Sequence, residues 1–320
     1  MMNFPQLKIA HMKPRVPIIQ GGMGVGISLS GLASAVANAG GIGIISGTGI
    51  PIEEMKGHIR KARELTNGIG YIGVNVLYAM TDFAETMKAA MEEKVDFIIS
   101  GAGISRDMYQ WGKEYEVPVI SIVSSAKVAK LSQRLGASAV VVEGFEAGGH
   151  LGTDRPLFDI LPEVVDAVDI PVIAAGGIIN GKDVRKAIEM GASGVQMGSR
   201  FVASVECDAP QSFKDKYLSA KKGETTLIKS VVGLEGRAIR NAFTERISDD
   251  KKVKIDKCYS CLKKCSHRFC ILDSLLTSRG GNAEDGLVFS GSRVHEINDI
   301  LPVKKIIDGI MDEFRSSVSV

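Results

Sequence analysis

Short apolar runs recur at nearly even intervals through residues 16–199, and each is followed by a stretch of helical character. The runs are VPIIQGG (16–22), GIGIIS (41–46), IGVNVL (72–77) and VDFIIS (95–100). They continue with VPVISIV (117–123), SAVVVEG (138–144), IPVIAAGG (170–177) and SGVQMGS (193–199). Rich in Val and Ile and too short for typical helices, they read as strands. Between them, LSGLASAVANAG, IEEMKGHIRKARELT, DFAETMKAAMEEK and GKDVRKAIEMGA read as helices. Strands that are apolar nearly throughout are covered on both faces, the mark of a parallel sheet. Eight strand–helix units predict an α/β fold, the (β/α)8 barrel, over residues 1–204. A doubly wound sheet is the alternative, but it calls for fewer repeats or one dominant nucleotide fingerprint near the start.

The alternation stops after the eighth run. Residues 205–300 are expected to form a mostly helical addition over the barrel mouth, with surface turns at SDDKKVKIDK (248–257) and SRGGNAEDG (278–286). In LPVKKIIDGIMDEF, the positions Val303, Ile306, Ile307, Ile310 and Met311 keep helical spacing, so residues 301–320 predict the last outer helix. No linker is long enough for an independently mobile domain.

Composition sharpens this picture only in places. Apolar residues at 45% suffice for a large core, and 36 glycines with 6% aromatics suit many strand-to-helix turns. A net charge of +2 gives no reason to expect nucleic acid as a partner, and the local cluster KKVKIDK reads as a solvated surface. No segment reaches the ~18 apolar residues of a membrane span. The first residues lack the apolar core of a secretory signal, so a cytoplasmic location is expected. A small-molecule substrate is the expected partner, and a homodimer is compatible with the sequence.

Chemistry concentrates where strands end and loops begin, the active face of this fold. Those ends read QGGMG, SGTG, NVLY, SGAG, VSS, EGFEAGGH, AAGGI and QMGSRF. Glycines let backbone N–H groups approach a ligand closely. AAGGI and QMGS end the seventh and eighth strands, the usual phosphate position of such barrels. The sixth end, EGFEAGGHLG (143–152), adds a carboxylate and a histidine that a simple turn would not need.

PIIQGGMG (17–24), GVNV (73–76), EGFEAGGHLG (143–152), PVIAAGGI (171–178) and QMGSRF (196–201) fall in order at successive strands. With them the sequence resembles the FMN-dependent nitronate monooxygenases, also called 2-nitropropane dioxygenases, whose superfamily includes enoyl-ACP reductase II. The resemblance runs through about residue 245, at RAIRNAFTER. It implies FMN as cofactor. Gly22, Met23 and Gly24 would line the flavin ring, Asn75 would reach it from the third strand, and Glu143 and Gly148 would contact the ring or the ribityl chain. Gly176, Gly177, Gln196, Gly198 and Ser199 would hold the phosphate end. Relatives often carry threonine at the position of Ser199, and either hydroxyl can donate to a phosphate oxygen. His150 would be the catalytic acid/base, suited to the task by a side-chain pKa near neutrality.

Two chemistries fit that site. An alkyl nitronate can be oxidised with oxygen to a carbonyl compound and nitrite, with His150 as base where a neutral nitroalkane must first lose its α-proton. An enoyl thioester can instead be reduced by NAD(P)H through the flavin, with His150 as acid. After QGGM the chain reads GVGISLSG, without the Ala-Trp of such enoyl reductases, which tilts the expectation to nitronate oxidation. A flavin-binding scaffold without turnover is a third reading, set against the complete set of site positions. An inosine-monophosphate-dehydrogenase-like barrel would need a nucleophilic cysteine, and Cys207, after the eighth run, reads as a packing residue.

CYSCLKKCSHRFC (258–270) places Cys258, Cys261, Cys265 and Cys270 within thirteen residues. Thiolates this dense suit an iron–sulfur cluster or a structural zinc. The other reading is reduced, partly buried cysteines with no ligand.

Overall fold

The computed structural model describes residues 6–248 and 253–316. Each apolar run forms a strand. The strands are β1 (Ile18–Gln20), β2 (Ile42–Ser46), β3 (Tyr71–Leu77), β4 (Phe97–Gly101), β5 (Val119–Val123) and β6 (Ala139–Glu143). A short β7 (Gly149–Leu151) follows, then β8 (Val172–Ala175) and β9 (Gly194–Met197). All but β7 join one closed parallel barrel in the order β1-β2-β3-β4-β5-β6-β8-β9, shut by the register Ile18↔Val195 between β1 and β9. A doubly wound sheet would stay open, so this closure decides between the two architectures.

Period-two alternation explains why the runs look uniformly apolar. Ile19, Ile44, Phe97, Ile99, Ile120, Val141 and Ile173 point inward and make one core. Their neighbours Ile18, Val140, Val142, Val172 and Val195 point outward against helices. Leu7, Ile9 and Met12 join the interior core, and Leu7 abuts Gly194 at the start of β9, so the leading segment plugs the N-terminal end. β1 and β2 share one register pair, Ile19↔Ile42. There the buried Gln20 side chain extends the ladder, its Oε1 accepting from Ile44 N at 3.0 Å.

The helix Val303–Ser316 packs between the helices Gly181–Glu189 and Ser30–Asn38, as an outer barrel helix should. Residues 205–300 carry the helices Gln211–Ser219, Ala242–Ser248 and Ile271–Arg279. They also carry a hairpin that the sequence pattern does not announce, β10 (Thr225–Lys229) and β11 (Glu235–Ile239). With β7 these form an antiparallel sheet in the order β10-β11-β7. Of the tract expected as a loop at 248–257, residues 249–252 lie outside the described residues; Lys254, Asp256 and Lys257 are exposed. Among the described residues no helix is long and apolar enough to cross a membrane.

Candidate active site

A cavity of about 300 Å³ opens at the C-terminal ends of the strands, beneath the added layer. Gly22, Met23, Gly24, Asn75, Glu143, Gly148, His150, Gly176, Gly177, Gln196, Gly198 and Ser199 all line it. Local structure explains their positions. A Cβ at Gly22 would stand 2.3 Å from Asn75 Cβ, so only glycine lets the β1 loop lie against that side chain. Ser28 closes the loop by accepting from Met23 N at 2.9 Å. Gly176 and Gly177 have φ of +103° and +71°, a left-handed turn that side chains resist.

Loop rigidity at the far end comes from Asp183. Its Oδ2 accepts from Ile179 N at 2.9 Å and Asn180 N at 3.2 Å, capping the helix that follows β8. Its Oδ1 pairs with Arg293 Nη1 at 2.7 Å, and the same nitrogen donates to Gly177 O at 2.7 Å. Gly291 N donates to Ser199 Oγ at 3.0 Å. The chain beyond residue 288 thus laces together the two glycine-rich strand ends.

Glu143 ends β6 at the cavity, and its carboxyl has no hydrogen-bond or ion-pair partner among the described residues. Burial alone pushes its carboxyl up to about 8, so it is a neutral acid at neutral pH and can donate a hydrogen bond. Beyond it the loop folds back, with Ala147 N donating to Gly144 O at 3.1 Å and Glu146 Oε2 accepting from Leu157 N at 3.0 Å. β7 then carries His150 to the cavity wall, opposite Gly236 of β11. Its Nε2 lies 2.8 Å from Ser230 Oγ, and the Phe289 ring meets it edge-on at 5.3 Å.

Burial lowers the His150 pKa to about 4. That corrects the expectation of a near-neutral value. Apolar surroundings disfavour the imidazolium, and no carboxylate lies close enough to restore it. At neutral pH the side chain is an uncharged imidazole with a free lone pair, and the same burial makes it a weaker base than an exposed histidine.

Sequence reasoning missed Ser230, Tyr217, Phe289 and Arg293, which also line or support the cavity. Ser230 is 80 residues from His150 and sits in no motif, so only the fold brings the two together. Ile271, Leu272 and Leu275 supply an apolar roof.

Cys261 lines the same cavity. The four clustered cysteines are free thiols, Cys258 exposed and the others half-buried. Burial first, then Cys270, Cys265 and Cys258, raise the Cys261 pKa, so the thiols feel one another. Among the described residues, however, no three Cys, His, Asp or Glu side chains are grouped to hold a metal ion. Cys207 is buried and donates from Sγ to Ile27 O at 3.4 Å, and it does not itself line the cavity.

Residues 5–313 match the sequence pattern of the family described as nitronate monooxygenase. The chain belongs to the nitronate monooxygenase family. It is a flavin oxidoreductase of that family on a TIM barrel. A probable nitronate monooxygenase of Staphylococcus aureus is 32% identical, over 72% of this chain and 77% of that protein. A Rhodococcus jostii protein, (3aS,4S,5R,7aS)-5-hydroxy-7a-methyl-1-oxo-octahydro-1H-indene-4-carboxyl-CoA dehydrogenase, is 30% identical over 92% of this chain and 91% of its own length. Among solved structures, FabK of Thermotoga maritima superposes with a TM-score of 0.83 at 33% identity, covering 94% of this chain and 93% of that one.

Proposed function

We propose that this chain is an FMN-dependent nitronate monooxygenase that oxidises alkyl nitronates with oxygen to carbonyl compounds and nitrite. The observation carrying this reading is the placement of His150, half-buried at the cavity wall with Nε2 2.8 Å from Ser230 Oγ.

The cavity suits FMN on two counts. Gln196 Oε1 is buried without a hydrogen-bond partner, an acceptor that a donor on the cofactor would satisfy, leaving only its NH2 to serve a phosphate oxygen. A Cβ at Gly198 would meet nothing nearer than Met23 Sδ at 3.9 Å, so the glycine leaves open room at the phosphate end. Gly22, Met23, Gly24 and Asn75 would hold the ring, with Glu143 and Gly148 on the ring or ribityl chain. Gly176, Gly177, Gln196, Gly198 and Ser199 would hold the phosphate. When bound, FMN supplies the acceptance of electrons from substrate and their delivery to oxygen.

The protein's own part is proton chemistry and exclusion of water. A neutral nitroalkane must lose its α-proton, and His150 can take it without first shedding one of its own. A preformed nitronate needs no base and meets an uncharged imidazole as a hydrogen-bonding neighbour. Leu262, Ile271, Leu272 and Leu275 cover the site and keep water from it.

A second reading, NAD(P)H-dependent reduction of an enoyl thioester, is favoured by one observation. The carboxyl-CoA relative spans more of this chain than the nitronate monooxygenases do. Protonating the α-carbon would then call for imidazolium, the form that burial of the ring disfavours. Anaerobic mixing separates the two. We expect propyl nitronate to bleach the visible flavin band, while NADH and NADPH leave it largely intact. Rapid bleaching by a nicotinamide and none by nitronate would replace the first reading with the second.

A further inference from the structure

We infer that Ser230 is a positioning residue: its hydroxyl fixes the His150 tautomer, so that Nδ1 is the nitrogen that takes the substrate proton. The inference rests on the reading of His150 as the base.

The geometry begins in the hairpin. Ser230 follows β10, and its N donates to Leu234 O at 3.0 Å while Gly233 N donates to its carbonyl at 3.2 Å. That tight turn, with Gly233 at φ +85°, fixes where the Ser230 side chain points. The residue is 5% exposed, so no bulk water competes for its hydroxyl. Across the sheet, the register Gly236↔His150 brings the imidazole alongside, and Nε2 stands 2.8 Å from Ser230 Oγ. Phe289 contacts the ring edge-on and restricts its rotation.

The two imidazole nitrogens therefore have different surroundings. Nε2 faces a buried hydroxyl, whereas Nδ1 makes no hydrogen bond to any described residue. A neutral imidazole carries one proton; the Ser230 hydroxyl can donate or accept, and the tautomer in which it accepts is the one that serves a base at Nδ1. With Nε2–H donated to Ser230 Oγ, the lone pair lies on Nδ1 and is free for substrate. Proton uptake then forms N–H at Nδ1 as the substrate Cα–H bond breaks, its electron pair staying on substrate. The Nε2–H···Oγ bond persists in the imidazolium. The reverse arrangement, with the hydroxyl donating to Nε2, would put the proton on Nδ1 and leave the ring no basic nitrogen for substrate.

The role also gives the hairpin a purpose. β10 and β11 contribute nothing to the barrel closure, yet the turn between them holds the hydroxyl that, among the described residues, hydrogen-bonds the base.

The test is 15N NMR of the FMN-loaded, full-length protein with labelled histidine, His150 being assigned by its absence in His150→Ala. We expect the Nε2–H tautomer in the native protein. Ser230→Ala should give a mixture of tautomers, with kcat for a neutral nitroalkane lowered about tenfold, the loss of one hydrogen bond. KM and FMN content should change less than twofold, since Ser230 stands behind His150 and does not line the cavity. Ser230→Thr, which keeps the hydroxyl, should restore the native tautomer. An unchanged tautomer in Ser230→Ala, or a native protein already in the Nδ1–H form, overturns the inference. Full activity of His150→Ala would instead overturn the reading of the base, so the two failures are distinguishable.

Discussion

The barrel and the layer over its mouth are built by opposite rules. In the barrel, each strand pairs with the next barrel strand along the chain, apart from the closing pair β1 and β9, and alternate side chains fall to the interior or the helices. In the layer, β7 pairs with β11 across more than eighty residues, and Ser199 meets Gly291 from 92 residues away. Local pattern writes the first region. Long-range pairing writes the second. The barrel supplies backbone that a cofactor can approach, and the layer supplies the groups that set the protonation and rigidity of the site. Substitutions should divide accordingly, with those in the barrel read as stability and those at the mouth as binding and turnover.

The largest effect expected is at the junction of the two. His150→Ala should lower kcat on a neutral nitroalkane by about 10²–10⁴-fold, the usual worth of a general base, while FMN remains bound. Steady-state rates and flavin absorbance check this, and lost flavin would make His150 a structural residue. Deep in the barrel, Phe97→Ala should destabilise by about 3–5 kcal/mol, because the ring is fully buried in the interior core. Denaturant unfolding measures it, and the surviving folded fraction should still bind FMN stoichiometrically. A barrel change of this kind that altered turnover but not stability would break the comparison.

Smaller effects belong to the lacing. Arg293→Ala removes the donor to Gly177 O and Asp183 Oδ1, and FMN affinity should fall about tenfold, as for loss of one buried charge-assisted bond. Fluorescence titration is the check, and unchanged affinity would detach the layer from the phosphate end. Glu143→Gln keeps a hydrogen-bonding side chain of the same size, and its effect on stability should appear through pH. With the native carboxyl raised to about 8, the folded state keeps a proton that the unfolded chain releases above about 4.5. Stability of the ligand-free protein should therefore decline as pH rises from about 4.5 to 8, and the glutamine variant should lack that decline. Thermal unfolding at pH 5 and pH 8.5 compares them, and parallel curves would show that Glu143 titrates normally.

Legibility in the sequence followed the same division. The eight runs are strands because Val and Ile on both faces leave a parallel barrel as the natural burial. The strand-end glycines mark the cavity because close backbone approach requires them, as Gly22 against Asn75 shows. The hairpin was not legible, since TTLIK and EGRAI are short and their partner GHL reads as loop until the chain folds. Nor was the state of His150: a pKa belongs to surroundings, and Ser230 and Phe289 come from other parts of the chain. The cysteine cluster shows the reverse case. Its spacing is conspicuous, yet in the fold one thiol lines the cavity and one is exposed to solvent.

The central claim is that His150 enters turnover as a neutral base, and the pH dependence of kcat/KM for a neutral nitroalkane tests it most directly. With a folded pKa of about 4, the profile should rise about tenfold per pH unit below that value and stay level from about pH 5 to 7. A limb near 6.5, or activity that falls as pH rises through the same range, would contradict the account.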